Sequence, residues 1–398
     1  MPEAFTSEAK MLNERHLEMQ PLGLVVFGKD EAARTGRLVR DLGATKAFVV
    51  CDPGIAASGI LDTVRESLEA EGLAVEVFDR VNPNPTTDDI EAGSAALGGL
   101  EPSGTAVVAV GGGSSLDAAK GISLHAANPG SVEQLDFRAE GLRPGIPVVA
   151  VPTTAGTGSE TNYFGVVTDP VEEKKFYLGH PSVRPRASVL DPLLTVGLPP
   201  GPTAATGMDA LVHALEALVS RNGNPYAEGL ALQVIRTVHR WLPAAVADGT
   251  DLEARSQMLL AAHVAGRAFG SGTGLGLCHA LAHSVSARTG AAHGVALTVM
   301  LPPVMGFNLP KSADKLALAA GSLNVSDGSD EKSARTAVSA IEDLARGVVK
   351  ERTLSALGVK EAMIPTLVRD TLSDIVLVNT PRTPSEEEIR ELLVAALR

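Results

Sequence analysis

Asp209 and His213 stand four residues apart in Met208-Asp209-Ala210-Leu211-Val212-His213-Ala214-Leu215. On a helix, residues at this spacing leave one face roughly 6 Å apart, so both can reach a single ion. His279 and His283 repeat the spacing in Cys278-His279-Ala280-Leu281-Ala282-His283, and His293 follows in Ala292-His293-Gly294. All five residues lie in largely apolar sequence, where a buried polar side chain needs a partner to offset its lost hydration. One metal ion could serve them together. A carboxylate among imidazoles suits Fe²⁺ or Zn²⁺, and suits Mg²⁺ or Ca²⁺ poorly. The competing interpretation is an ordinary set of hydrogen-bonded histidines. A fourfold site needs only two of His279, His283 and His293 beside Asp209 and His213, and spacing does not choose between them.

The second chemical feature is Val107-Val108-Ala109-Val110-Gly111-Gly112-Gly113-Ser114-Ser115-Leu116-Asp117, an apolar strand pattern running through three glycines into a helix start. Glycines let the backbone approach a pyrophosphate, Ser114 or Ser115 can cap the helix, and the helix N-terminus offers free N–H donors. Neither GxGxxG nor GxxxxGK[ST] is present, so this is not the usual dinucleotide fingerprint and not a P-loop. A second loop, Pro152-Thr153-Thr154-Ala155-Gly156-Thr157-Gly158-Ser159-Glu160, follows another apolar strand pattern. Its hydroxyls would lie at the carboxyl end of a parallel strand, where ligands bind in open α/β sheets. Asp52, ending an earlier strand pattern, could accept from ribose hydroxyls and repel a 2′-phosphate, which favours NAD over NADP. The alternative is a turn aspartate before Pro53-Gly54.

The elements that must position these groups are legible from periodicity. Strands are expected at Leu24–Phe27, Ala47–Cys51, Val75–Phe78, Ala106–Val110 and Val148–Val151, separated by helix-compatible stretches, as in a parallel βαβ succession. Phe164–Thr168 and Lys175–Leu178 read as a hairpin around Asp169-Pro170-Val171-Glu172-Glu173. Gly197-Leu198-Pro199-Pro200-Gly201-Pro202 reads as the domain boundary, continuing neither helix nor strand. Beyond it the spacing predicts only helices, over Ala205–Val219, Ala227–Trp241, Leu252–Phe269, Ser333–Val349, Glu361–Leu372 and Glu386–Leu397. The expected organisation is an α/β Rossmann-like dinucleotide-binding domain over residues 1–198 and an all-α metal-binding and catalytic domain over 199–398. A polar surface loop is expected at Ser326 to Lys332.

Composition narrows the function classes. In 398 residues, 44% are apolar, 20% charged and only 3% aromatic, so aliphatic and small side chains must fill the interior. The formal net charge of −13 would repel a phosphate backbone, which argues against nucleic acid as a partner. Cys51 and Cys278 are too few for a disulfide framework, which fits a reducing compartment and makes the cytoplasm the expected location. The first twenty residues lack the apolar run of a signal peptide. The most apolar stretch, Val295 to Val304, is interrupted by Pro302 and Pro303 and is too short for a membrane span.

In their order and spacing these motifs resemble the iron-containing alcohol dehydrogenases. The resemblance runs from about Gly23 to the C-terminus. It covers Asn82-Pro83-Asn84-Pro85-Thr86, the glycine loop with Asp117 and Lys120, Pro152 to Glu160, Ala204-Ala205-Thr206-Gly207-Met208-Asp209-Ala210, the histidine block and Asn379-Thr380-Pro381-Arg382. It implies the dehydroquinate synthase-like fold, with the active site between a Rossmann-like and a helical domain. It also implies that Asp209, His213, His279 and His293 bind the metal, with Fe²⁺ expected and Zn²⁺ the alternative. His283 is implied to lie near the nicotinamide as the catalytic, proton-handling residue, since an imidazole titrates near neutrality. Cofactor contacts carry over to Asp52, Asn84, Gly112, Gly113, Ser114, Thr153, Thr154, Thr157 and Lys175. Phe164 stands where some members carry a polar cofactor contact, so none is inferred there.

The implied reaction moves a hydride between NAD(H) and an alcohol, or its aldehyde or ketone, whose oxygen sits on the metal. The substrate itself is not readable, although Gly270, Ser271, Gly272 and Thr273 hint at a small-residue wall. A homodimer or larger assembly is the family tendency. Three rivals share the fold. One is an NAD- and metal-using synthase like dehydroquinate synthase, disfavoured by the Asp-His-His-His set. The others are a metal-free maleylacetate-type reductase and a non-catalytic sensor or storage protein.

Overall fold

The computed structural model describes residues 23–98, 103–172 and 174–398. The charged N-terminal segment and Glu173 of the hairpin turn lie outside the described residues. The first half builds β1 (Leu24–Phe27), α1 (Thr35–Asp41), β2 (Lys46–Val50), α2 (Pro53–Ala57), α3 (Ile60–Ala70), β3 (Ala74–Phe78), α4 (Thr87–Leu97), β4 (Thr105–Gly111), α5 (Gly113–Ala127) and β5 (Val148–Pro152). A hairpin of β6 (Phe164–Asp169) and β7 (Lys174–Gly179) follows, then β8 (Ala187–Leu190).

Six of these strands form one sheet in the order β1-β8-β5-β4-β2-β3, with every pairing parallel. Runs such as Val107-Val108-Ala109-Val110 are apolar at every position because α-helices cover both faces. The chain runs from β2 outward to β3, then returns to lay β4 on the other side of β2. That reversal opens a crevice at the carboxyl ends of β2 and β4, the place where open α/β sheets bind ligands. Asp52 and Gly111 are the residues that emerge there. The short β8, with Pro185 just before it, carries too little pattern to be read from sequence, yet it joins the edge strand β1 to the rest.

After β8 every regular element among the described residues is helical: α6 (Pro200–Val219), α7 (Pro225–Ala247), α8 (Leu252–Ala268), α9 (Leu277–Thr289), α10 (His293–Leu323), α11 (Asp330–Val348), α12 (Ile364–Ser373) and α13 (Glu386–Leu397). Their shared core is built mostly from Ala, Leu and Val, with few aromatics. Two expectations are corrected here. The proline-rich segment at 197–202 does not exclude helix: Pro200 and Pro202 occupy the first turn of α6, where a missing N–H costs nothing. Nor do Pro302 and Pro303 break the chain. Helix α10 carries them and Pro310, and departs from helical dihedrals only at Ser312. An interior proline costs about 3 kcal/mol, and burial of the helix against α6, α9 and α11 supplies the compensation. No helix among the described residues is long and apolar enough to cross a membrane.

Candidate active site

The two hydroxyl- and glycine-rich loops meet face to face. The Thr153 N–H donates to the Gly111 carbonyl at 2.9 Å, continuing the β4–β5 ladder past the strand ends. A β-carbon on Gly112 would stand 3.2 Å from the Thr154 side chain, and one on Gly113 only 2.6 Å from that of Thr157. Glycine is therefore required here by close approach. Helix α5 starts at Gly113 with Gly112 as its N-cap and no side-chain cap, so its first N–H groups remain open to an anion. The expected capping by Ser114 or Ser115 does not occur. The Ser114 hydroxyl instead accepts from the Asn84 N–H at 3.2 Å, and the Ser115 hydroxyl donates to Asp52 at 3.2 Å.

The turn role of Asp52 is present, and its second carboxylate oxygen points to the glycine loop. Its Oδ1 caps α2 by accepting from Gly54 and Ile55, while its Oδ2 faces the glycine loop through Ser115. Asn84, in the left-handed region at φ 54°, accepts from Lys175 Nζ at 3.0 Å. The hairpin thereby delivers Lys175 to the same end of α5. Burial pushes the Lys175 ammonium down to about 8. Lys120, fully buried on α5, holds the second loop in place through Ser159, Asn162 and the Phe164 carbonyl at 2.6–2.9 Å.

Across the cleft, the helical half gathers the ionisable groups. Asp209 and His213 share one face of α6, and Nε2 of His213, His279 and His293 lies 3.4, 3.6 and 4.0 Å from the same Asp209 Oδ1. Ligand atoms of Asp209, His213 and His279 all lie within 4.8 Å of one another. His293 completes the group from the start of α10. A β-carbon on Gly294 would sit 2.1 Å from the Ala205 carbonyl, so glycine after His293 is what lets α10 press against α6 one turn before Asp209.

His283 is directed elsewhere. Its Nδ1 contacts the Asp374 carboxylate at 2.8 Å and the Tyr177 hydroxyl at 3.3 Å, and its ring stacks on His293 at 5.1 Å.

The donor set fits a divalent cation. Asp209 Oδ1 and His279 Nε2 are buried without a hydrogen-bond partner, and such orphans are costly unless something else engages them. Glu216, one helical turn beyond His213, accepts from His279 Nδ1 at 2.6 Å and from the N–H groups of Gly276 and Cys278. A carboxylate can only accept, so Nδ1 carries the proton and Nε2 is the atom offered to the ion. Burial opposes a charge on His279, yet Glu216 and Asp209 outweigh it and raise the imidazole to about 9. The surroundings thus favour a positive charge at this point, which a bound cation would supply in place of a proton. His213, with less compensation, is pushed down to about 4 by burial.

Asn84, Gly113, Ser114, Thr157, Lys175, Asp209 and the four histidines line one cleft of about 140 Å³, and Asp52, Gly112, Thr153 and Thr154 buttress its loops, whereas Gly270, Ser271, Gly272 and Thr273 are not part of its lining. Sequence reasoning missed Glu216, although its i+7 spacing from Asp209 was available. It also missed Tyr177, although strand alternation puts it on the same face as Lys175, and Asp374, for which no local signal exists.

Residues 23–192 match the family model described as iron-containing alcohol dehydrogenase, and residues 203–397 match the C-terminal model of the Fe-containing alcohol dehydrogenase family. The chain is 35% identical over 374 residues to an NAD-dependent methanol dehydrogenase of Bacillus methanolicus, covering 94% of this chain and 97% of that one. It is 38% identical to a probable alcohol dehydrogenase, EutG, of Salmonella typhimurium, covering 91% and 90%. Among solved structures, a 1,3-propanediol oxidoreductase superposes with a TM-score of 0.92 at 36% identity, covering 96% of this chain and all of that one.

Proposed function

The chain belongs to the iron-containing alcohol dehydrogenase family, and on that premise we propose that Asp209, His213, His279 and His293 hold its iron while the Gly111–Ser115 and Thr153–Thr157 loops hold NAD. The protein is an oxidoreductase that transfers a hydride between NAD(H) and a small alcohol or the corresponding carbonyl compound. The observation that carries the site assignment is the convergence of three imidazole Nε2 atoms on one orphaned carboxylate oxygen, across a single cleft from an uncapped helix N-terminus.

When bound, the ion supplies Lewis acidity that lowers the pKa of the substrate hydroxyl, and NAD supplies the hydride acceptor. The remaining work falls to the chain. Open N–H groups at Gly113 and Ser114 receive the pyrophosphate, with Lys175 as a nearby cation. Asp52 Oδ2, at the glycine loop beside Ser115, would accept from an adenosine ribose hydroxyl and disfavour a 2′-phosphate, which supports NAD over NADP. Glu216 keeps the proton on His279 Nδ1, and Asp374 does the same at His283 Nδ1. His283 Nε2 is then the atom left to take or return a proton. Phe164, Phe269 and Leu275 wall the cleft and exclude water from the transfer.

The same reading divides the chain into a dinucleotide-binding domain at 1–198 and a catalytic helical domain at 199–398, in line with β8 ending at Leu190 and α6 starting at Pro200. It places the enzyme in the cytoplasm as a homodimer or larger assembly. Two buried, free cysteines are consistent with a reducing compartment. Gel filtration with light scattering tests the assembly. An NAD-reduction screen across alcohols, diols and hydroxy acids, on protein reconstituted separately with Fe²⁺ and Zn²⁺, tests the activity. NADH formation that requires the added metal supports the reading, and equal rates after chelation contradict it.

A further inference from the structure

Behind the cleft lies a second cavity of about 160 Å³, and the two share Lys175, Tyr177 and His283 as their common wall. The wall contains an uncommitted donor. Asp374 accepts from His283 Nδ1 at 2.8 Å, and Asp374 Oδ1 is itself held by the Val376 N–H, so the single Nδ1 proton is directed to Asp374. The Tyr177 hydroxyl, 3.3 Å from the same Nδ1, can then share that proton only as an acceptor. Its own O–H proton has no other acceptor among the described residues. The side chain is 8% exposed, and its ring is fixed by edge contacts with Phe137 and Phe164.

We propose that the Tyr177 hydroxyl donates a hydrogen bond to a second oxygen of the substrate, making this enzyme selective for small alcohols that carry a distal hydroxyl.

The chemistry of the second cavity fits that end of the molecule. Its charged lining balances, with Arg138, Lys174 and Lys175 against Asp136, Asp370 and Asp374, so a neutral polar group is favoured over an ion of either sign. Arg138 is already paired with Asp136, and Arg288 with Asp370. A hydroxyl can accept from the phenol and donate toward the Asp374 carboxylate, which no alkyl end, ammonium or carboxylate does. An alcohol with a plain alkyl tail reaching toward Tyr177 would exclude water from it and leave its O–H unpaired. Sites with such a buried donor discriminate against analogues that lack the matching oxygen.

This inference rests on the alcohol dehydrogenase reading, and its test separates the two. Metal-loaded enzyme is assayed for kcat/KM with NAD⁺ on 1-propanol, 3-methoxy-1-propanol and 1,3-propanediol, in the wild type and in Tyr177→Phe, which removes only the oxygen. The wild type is expected to favour the diol over 1-propanol by about tenfold, with the ether, an acceptor only, in between. In Tyr177→Phe that ratio should fall to about one. A ratio that is unchanged by the substitution overturns the proposal, as does a wild type that treats 1-propanol and the diol alike. The second comparison needs no variant to fold. NADH from 1-propanol but without preference for the diol leaves the dehydrogenase reading standing, whereas no NADH from any alcohol overturns both.

Discussion

The two walls of the cleft are built on opposite principles. The proposed cofactor wall, from the α/β half, uses backbone: an uncapped helix start, three glycines and a facing loop of threonines. The proposed metal wall, from the helical half, uses ionisable side chains packed among Ala and Leu, two of them with a carboxylate that fixes the proton. The first wall is sensitive to volume, because a single added methyl group has nowhere to go. The second is sensitive to chemistry at nearly constant volume. Substitutions that keep shape should be harmless on one side and severe on the other.

The largest effect that would sharpen this contrast is His279→Ala. It should abolish metal retention, measured by metal analysis after desalting, and reduce alcohol turnover to background, while NADH fluorescence titration shows affinity within about threefold of wild type. Full activity in that variant would break the metal assignment. Glu216→Gln comes next. The shape is nearly unchanged, but the carboxylate that accepts from His279 Nδ1, Gly276 and Cys278 is lost. Metal affinity in chelator competition should fall about 10–100-fold, and an unchanged affinity would mean that Glu216 is only a structural brace.

Gly113→Ala tests the other wall. Its new β-carbon would stand 2.6 Å from Thr157, so the NADH dissociation constant should rise about tenfold with metal content unaltered.

The smallest effect concerns pH. Burial holds the Lys175 ammonium at about 8, below the ordinary lysine value. The cation therefore persists below that pH and is lost as pH rises through it. NADH affinity should fall by about threefold between pH 7 and 9.5, and the fall should flatten in Lys175→Met. A pH dependence that survives the substitution would assign it to another group.

How much of this was legible in the sequence follows the same division. The glycine and threonine loops announced themselves because strand, small residues and helix occur in continuous order. Asp209 and His213 were legible through helical spacing, and Glu216 could have been found by extending it one further turn. The choice among His279, His283 and His293 was not, since all three lie within fifteen residues and only tertiary packing directs them. In the structure, Gly294 seats His293 against α6, while Asp374, ninety-one residues from His283, draws that imidazole aside. Tyr177 reaches the site on the same face of β7 as Lys175, a placement that strand alternation offers but that its apolar surroundings do not announce as functional. Helix α10 was hidden by prolines that its buried packing overrides.

The most direct test of the account is an anomalous-scattering map at the iron absorption edge, from crystals of the Fe²⁺-loaded enzyme. The account predicts one peak per chain, bonded by Asp209, His213, His279 and His293, with His283 still paired to Asp374. A peak outside these four side chains, or one ligated by His283 in place of His293, would contradict it.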